Sequence, residues 1–393
     1  MQGSRVAWKE AAWIFGLSRL IILLVSSIGI VLLPQAGQTL ANTCRASFDP
    51  CFTAWYRWDA IAYVNIAHHG YTYLPDTAFF PFWPLLEHFG GILLGSSFPN
   101  SYYFAGLIFA NICFYFVLVL LYHLLAVDFE PDTARRALFY IAFSPYAIFF
   151  FLGYTESLFL LLSIGFFLLL RRGKPLDWWL AGSLGFLAML TRSSGIILAI
   201  PYLVVYLQRF WVTPERARHS WGEKLNALAP LILIPAGVLV YMIYLGYATG
   251  NPFMFISQEG TFHWHRHLNF PWVGIIAALS TVFSTTNFDN VKIQNLLDLS
   301  FTLIPLITLV LGWKYIPLHY ALFALALILF TLSFPQSSEP LASQPRYMMA
   351  IFPIAAIFAL WGKRPRFNQA VIALILPLFA VNIILLISHR WVA

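Results

Sequence analysis

The sequence predicts an all-α polytopic membrane protein, and three observations predict it. Of its 393 residues, 60% are hydrophobic and only 10% are charged, where a soluble domain carries roughly 25% charged residues. Apolar stretches long enough to cross a bilayer recur from one end of the chain to the other. The Lys and Arg residues fall in short connectors between those stretches, as orientation signals do, and form no stripe. The net charge of +7 therefore points to membrane topology and gives no reason to expect a nucleic-acid partner.

A helix needs roughly 20 apolar residues to cross the hydrocarbon core. Eleven stretches approach that length, at about 13–33, 102–126, 138–152, 156–170, 177–191, 194–208, 228–248, 296–313, 316–334, 347–361 and 369–388. Arg5 and Lys9 precede the first, and no small-residue cleavage site closes it, so it reads as a retained span. With the N-terminal side in the cytoplasm, the inner connectors hold 15 of the 23 basic residues and the outer ones 7, with Arg19 inside the first span. That bias supports the orientation. A single integral membrane domain over 1–393 is expected, with Arg19 held by an acid or by backbone carbonyls in the bundle.

Two outer loops are long, at about 34–101 and 249–295. The first carries Arg57-Trp58-Asp59-Ala60 and then His68-His69-Gly70-Tyr71, with Asp59–Ala67 expected to form a short interfacial helix. The second carries Gln258 to His267 and an apolar run, Phe270–Phe283, that is too short to span and reads as interfacial or re-entrant. Cys44 and Cys51 flank Asp49-Pro50; a disulfide and two thiols are both open readings. Cys113 reads as a small core residue.

The polar residues on the outer side suggest one active face. Asp59, a carboxylate at the membrane edge beside Arg57 and Trp58, has the chemistry of a general base, against the plain reading of a solvated acid paired with Arg57. Glu156, in Tyr154-Thr155-Glu156-Ser157, either suits the dipole of a helix start or has a second role, orienting a substrate hydroxyl or pairing with an arginine. Arg192, Arg266 and Arg346 lie near the outer ends of apolar stretches. Each either snorkels to lipid phosphate or clamps a substrate phosphate. Arg57, Trp58, His68, His69 and Gln258 are candidate substrate contacts. His263, His265 and His267 alternate as strand residues do, yet no acid or cysteine is spaced with them, so no metal is expected.

The tags Arg57-Trp58-Asp59-Ala60, Gly70-Tyr71, Ala78-Phe79-Phe80-Pro81, Ser144-Pro145, Tyr154-Thr155-Glu156-Ser157-Leu158-Phe159, Thr191-Arg192-Ser193-Ser194-Gly195, Asn251-Pro252-Phe253 and Pro345-Arg346-Tyr347 follow one another along most of the chain. In this the chain resembles the PIG-V family, the second mannosyltransferase of GPI-anchor synthesis, and its prokaryotic relatives. The resemblance implies a GT-C glycosyltransferase fold with about 11 transmembrane helices and an extracytoplasmic active site. It implies a polyprenyl-phosphate sugar as donor, a glycolipid or other acceptor, inversion at the anomeric carbon, Asp59 as base and no cofactor. The outer loops are short for a eukaryotic member of that family, which favours a prokaryotic plasma membrane over the endoplasmic reticulum. An outward-facing transporter or lipid flippase is the alternative, though it predicts inverted repeats and mid-membrane acids that the sequence does not display. A noncatalytic scaffold subunit is a third reading, against which the presence of Asp59 counts.

Overall fold

The computed structural model describes residues 2–33, 54–95, 100–212, 219–261, 265–284 and 290–392. The helices are α1 (Gln2–Leu32), α2 (Asp59–His69), α3 (Phe82–Leu94), α4 (Ser101–Asp128), α5 (Pro131–Ala142), α6 (Glu156–Arg172), α7 (Pro175–Thr191), α8 (Ala199–Leu207) and α9 (Trp221–Leu228). They continue as α10 (Leu233–Thr249), α11 (Met254–Thr261), α12 (Pro271–Ser284), α13 (Asn290–Gly312), α14 (Leu318–Leu332), α15 (Gln344–Met349), α16 (Phe352–Trp361) and α17 (Pro365–Ile387). Among the described residues the only β-type pairing is an isolated bridge between Arg266 and Gln336. The all-α class is thus as the composition predicts. Cys44 and Cys51 lie outside the described residues; Cys113 is buried.

Local sequence explains many of the boundaries. Proline stands at the first turn of α5, α7 and α17, where its missing N–H costs nothing. Ser220 and Glu223 form a capping box at α9, with reciprocal bonds of 3.2 and 2.9 Å. Gly70, at φ 70°, closes α2 in a conformation that other residues adopt only under strain. A helix is present where one is expected at 59–67, and α12 covers the short apolar run expected at 270–283.

Among the described residues, six helical stretches are long and apolar enough to cross a membrane: Arg5–Leu32, Ser101–Asp128, Ser193–Val212, Trp221–Thr249, Val291–Tyr315 and Pro365–Ile387. Pro271–Ser284, Leu318–Leu332 and Phe352–Trp361 are shorter apolar helices. Two expected spans are broken. The stretch 138–152 divides into α5 and a 3₁₀ turn at Ala147–Phe150, because Pro145 offers no N–H and disfavours helix at Ser144. The freed Pro145 carbonyl accepts a 2.9 Å bond from Asn382. The stretch 347–361 divides into α15 and α16 just ahead of Pro353, so Tyr347 precedes the apolar helix.

The chain forms two compact units. One contains Met1–Gly70, Trp83–Leu161 and Phe358–Val392; the other contains Tyr71–Phe82 and Leu162–Ile357. In the first, Arg19 in α1 donates to Asn111 Oδ1 at 2.8 Å and to the Phe150 carbonyl at 2.9 Å. It also lies over the rings of Phe15 and Phe114, so this buried cation is held by carbonyl dipoles and π faces. Gly29 lets α1 approach α17 closely: a Cβ there would come within 2.3 Å of Ile387 Cδ1. In the second unit, the core of buried aromatics centres on Phe167, which packs edge-on against Tyr320, Phe323 and Phe352.

Candidate active site

In the first unit the site is built from a strained turn. Trp58 sits at φ 45°, ψ −116°, a conformation costly for a bulky residue, and Asp59 follows as the first residue of α2. The Arg57 carbonyl accepts from the Ala60 amide at 3.1 Å, and the Trp58 carbonyl accepts from the Ile61 amide at 2.9 Å. The Tyr154 hydroxyl donates to the same Arg57 carbonyl at 2.8 Å, fastening the turn to the segment that leads into α6. Ala60, Tyr63, Ile66 and Ala67 bury the inner face of α2, which leaves Asp59 half-buried at the helix start. There the positive end of the helix dipole favours a negative charge. Burial pushes the Arg57 guanidinium below its ordinary value, with Tyr103 and Tyr154 opposing the shift.

Glu87, which no sequence pattern singles out, lies in the same unit. It is fully buried in α3, and Trp83 Nε1 donates to its Oε1 at 2.8 Å. Among the described residues its Oε2 has no hydrogen-bond partner. Gly106 of α4 makes room for it: a Cβ there would fall 2.2 Å from Oε1. Burial drives this carboxyl well above the usual glutamate range, and the Trp83 bond opposes that shift only in part. Its enclosure favours the protonated carboxyl, which can donate as well as accept.

The other expected residues of this unit are placed as follows. Glu156 is buried and opens α6, two residues after Tyr154. His68 and His69 meet each other, with 2.8 Å between His68 Nδ1 and His69 Nε2, and the His68 ring packs edge-on to Tyr102. Among the described residues no group of three His, Cys, Asp or Glu side chains is arranged to hold a metal ion. His263 lies outside the described residues, and His265 stands at φ 43°.

The second unit gathers the three arginines on one phenol. The guanidinium carbons of Arg192, Arg346 and Arg266 lie 5.0, 5.3 and 5.7 Å from the centre of the Tyr347 ring. Arg266 also donates to the Tyr347 hydroxyl at 2.9 Å and to the Ala342 carbonyl at 3.2 Å. Arg192 arrives from the end of α7; Arg346 arrives from α15, which starts after Ser343 at φ 67°. Burial works against the Arg266 charge, but Tyr347 and Glu259 more than offset it, and its pKa lies above the ordinary value. Burial likewise opposes ionisation of Tyr347, yet the three guanidiniums hold its pKa below that of an ordinary tyrosine. Cations so concentrated suit an anion with several oxygens. The structure brings the three arginines together around Tyr347, a residue that the sequence does not mark as their hub. Gln258 does not join them through its amide, which donates to Met254 Sδ within α11 at 3.6 Å.

A multi-helix membrane protein with a carboxylate presented at a helix start and a separate arginine cluster is the class that fold and sites define. The family profile of the mannosyltransferase (PIG-V) family matches residues 17–249, and the chain belongs to that family. The match takes in Asp59, Glu87, Glu156 and Arg192. Among characterised relatives, GPI mannosyltransferase 2 of Schizosaccharomyces pombe is 30% identical over 51% of this chain and 43% of its own length. GPI alpha-1,6-mannosyltransferase 2 of Mus musculus is 28% identical over 49% of this chain and 41% of its own length. The matched stretch is thus less than half the length of each relative. Among solved structures, ArnT from Cupriavidus metallidurans bound to undecaprenyl phosphate is similar at 13% identity and a TM-score of 0.49, covering 96% of this chain and 76% of that one. The Archaeoglobus fulgidus oligosaccharyltransferase is similar at 15% identity and a TM-score of 0.42, covering 96% and 52%.

Proposed function

We propose that this protein is a GT-C mannosyltransferase. It moves mannose from a polyprenyl phosphate to an acceptor hydroxyl on the extracytoplasmic face of a membrane. Membership of the mannosyltransferase (PIG-V) family is the observation that carries the reading. The relatives named for mannosyl transfer onto GPI supply the sugar and favour a glycolipid acceptor.

The residues support a single displacement. The Asp59 carboxylate takes the proton of the acceptor hydroxyl as that oxygen attacks the anomeric carbon. The bond from that carbon to the phosphate oxygen breaks, and the configuration inverts. The leaving polyprenyl phosphate gains one negative charge, since a phosphodiester becomes a monoester. Arg192, Arg266 and Arg346 favour that charge, so their attraction is stronger in the transition state than toward the bound donor. Glu156, Arg57, Trp58, His68 and His69 are proposed substrate contacts around the acid, and the chemistry calls for no metal or cofactor.

The test is transfer of labelled mannose from a polyprenyl-phosphate donor by the purified protein in lipid, with Asp59→Asn alongside. Label moving into lipid extract, reduced at least ~100-fold by the substitution, supports the reading. Equal turnover by both proteins contradicts the role of Asp59. A protein that neither binds nor turns over the donor contradicts the reading as a whole.

A further inference from the structure

The strained turn that presents Asp59 needs a constraint. A tryptophan at φ 45° persists only where its surroundings over-determine it. The Tyr154 bond to the Arg57 carbonyl fixes the backbone on one side of Trp58. Neither that bond nor the start of α2 restrains the side chains of Arg57 and Trp58. Residues more than 300 positions away in the sequence, from the segment that follows α17, meet both.

That segment is itself sharply turned. The helix ends at Ile387, and His389 adopts φ 59°, reversing the chain so that the amides of His389 and Arg390 donate back to Leu386 and Leu385 at 3.1 and 3.0 Å. Val392, just beyond, is buried and anchors the turn. Between these points, His389 Nε2 meets Nη2 of Arg57. The Trp391 ring meets the Trp58 ring edge-on, 5.2 Å between centroids at 73°. A guanidinium only donates, so Nε2 is the acceptor and the imidazole proton resides on Nδ1. Burial, and then the Arg57 charge, lower the His389 pKa, which suits that neutral form. These residues lie beyond the stretch matched by the family profile.

We infer that His389 and Trp391 are positioning residues for the reaction proposed above, gripping the Arg57 and Trp58 side chains so that the turn holds Asp59 at the acceptor hydroxyl. They touch no substrate. His389 takes the Arg57 guanidinium, Trp391 fixes the Trp58 indole, and the backbone between those side chains is left with one arrangement.

The experiment compares His389→Ala and Trp391→Ala with the conservative His389→Gln and Trp391→Phe, in full-length protein in lipid. Two readouts are taken: the split between kcat and donor KM for mannosyl transfer, and amide hydrogen exchange across residues 57–61. The alanine variants are expected to lower kcat about 10- to 100-fold, the loss that follows when a reacting group is misplaced, with donor KM changed by less than about twofold. Exchange at Ala60 and Ile61, whose amides bond to Arg57 and Trp58, is expected to rise while exchange in α4 does not. Glutamine keeps an acceptor for Arg57 and phenylalanine keeps an edge for Trp58, so both should restore most of kcat and of the protection. Unchanged exchange at 57–61 overturns the inference whatever happens to kcat, as does a rise in donor KM alone. A tryptophan serving only as an interface anchor would give unchanged exchange. If the alanine variants fail to fold, wild-type exchange and kcat in the conservative pair support the inference and a loss of either overturns it. Because exchange is read without turnover, a protein that transfers no mannose yet loosens its turn on Trp391→Ala would sink the proposed function and leave the grip standing.

Discussion

The two units place their chemistry in different ways. Asp59 is presented by backbone: a positive-φ tryptophan, three hydrogen bonds and the start of a helix set where the carboxylate points. The arginines are presented by a side chain: they come from three separate segments and are organised by one phenol ring. A site set by backbone tolerates little displacement, as suits the base proposed for Asp59. A site of cations around a ring is adaptable, as suits the leaving phosphate proposed for the arginines.

This contrast is broken most readily at the arginines. Arg346→Ala or Arg192→Ala should lower kcat/KM for the donor by roughly 10- to 100-fold, the value of a charge-assisted bond to phosphate. Acceptor KM should stay near wild type in a two-substrate kinetic matrix. A fall in acceptor affinity instead would assign that arginine to the acceptor.

Gly106→Ala sharpens the backbone side. A methyl group 2.2 Å from the Glu87 carboxyl has no room, so the neighbours must shift at a cost of about 1–3 kcal/mol. A lowered melting temperature in detergent checks it.

Glu87 gives a test by pH. Its folded-state pKa is raised, so the folded protein binds the proton more tightly than the unfolded chain does. Stability from this group is therefore complete below the ordinary glutamate value and falls as pH rises from there towards the folded pKa. Glu87→Gln, which stays neutral throughout, should lose less stability than wild type between acidic and alkaline pH. Parallel melting curves for the two proteins would refute the raised pKa of Glu87.

Tyr347→Phe should have the smallest effect. The ring that carries the three guanidiniums remains and only the Arg266 bond to the hydroxyl is lost, a change of about 1–2 kcal/mol. Donor kcat/KM should fall modestly, and much less than for Tyr347→Ala.

What the sequence made legible follows from the same contrast. The all-α class could be read from composition, and α2 from the polar start and apolar residues after Asp59. Asp59 and the arginines were visible because charge is rare in such a chain. Their supports were not. Glu87 follows Phe82-Trp83-Pro84-Leu85-Leu86, where an isolated acid reads as part of a loop; only the space left by Gly106 shows that it is enclosed. Tyr347 is one of 19 tyrosines, and nothing local marks it as the ring on which three distant arginines meet. His389 and Trp391 reach Arg57 and Trp58 across nearly the whole chain. The expected spans at 138–152 and 347–361 failed because hydropathy averages over Pro145 and Pro353, whereas the backbone breaks at each.

The division of labour between the two regions is tested most directly by donor binding. Affinity for a polyprenyl-phosphate mannose would be measured in lipid nanodiscs for wild type, Asp59→Asn and Arg346→Ala, with turnover recorded on the same samples. The account predicts that Asp59→Asn binds donor as wild type does but transfers no mannose, whereas Arg346→Ala loses donor affinity. Loss of donor affinity in Asp59→Asn, with Arg346→Ala binding normally, would contradict it.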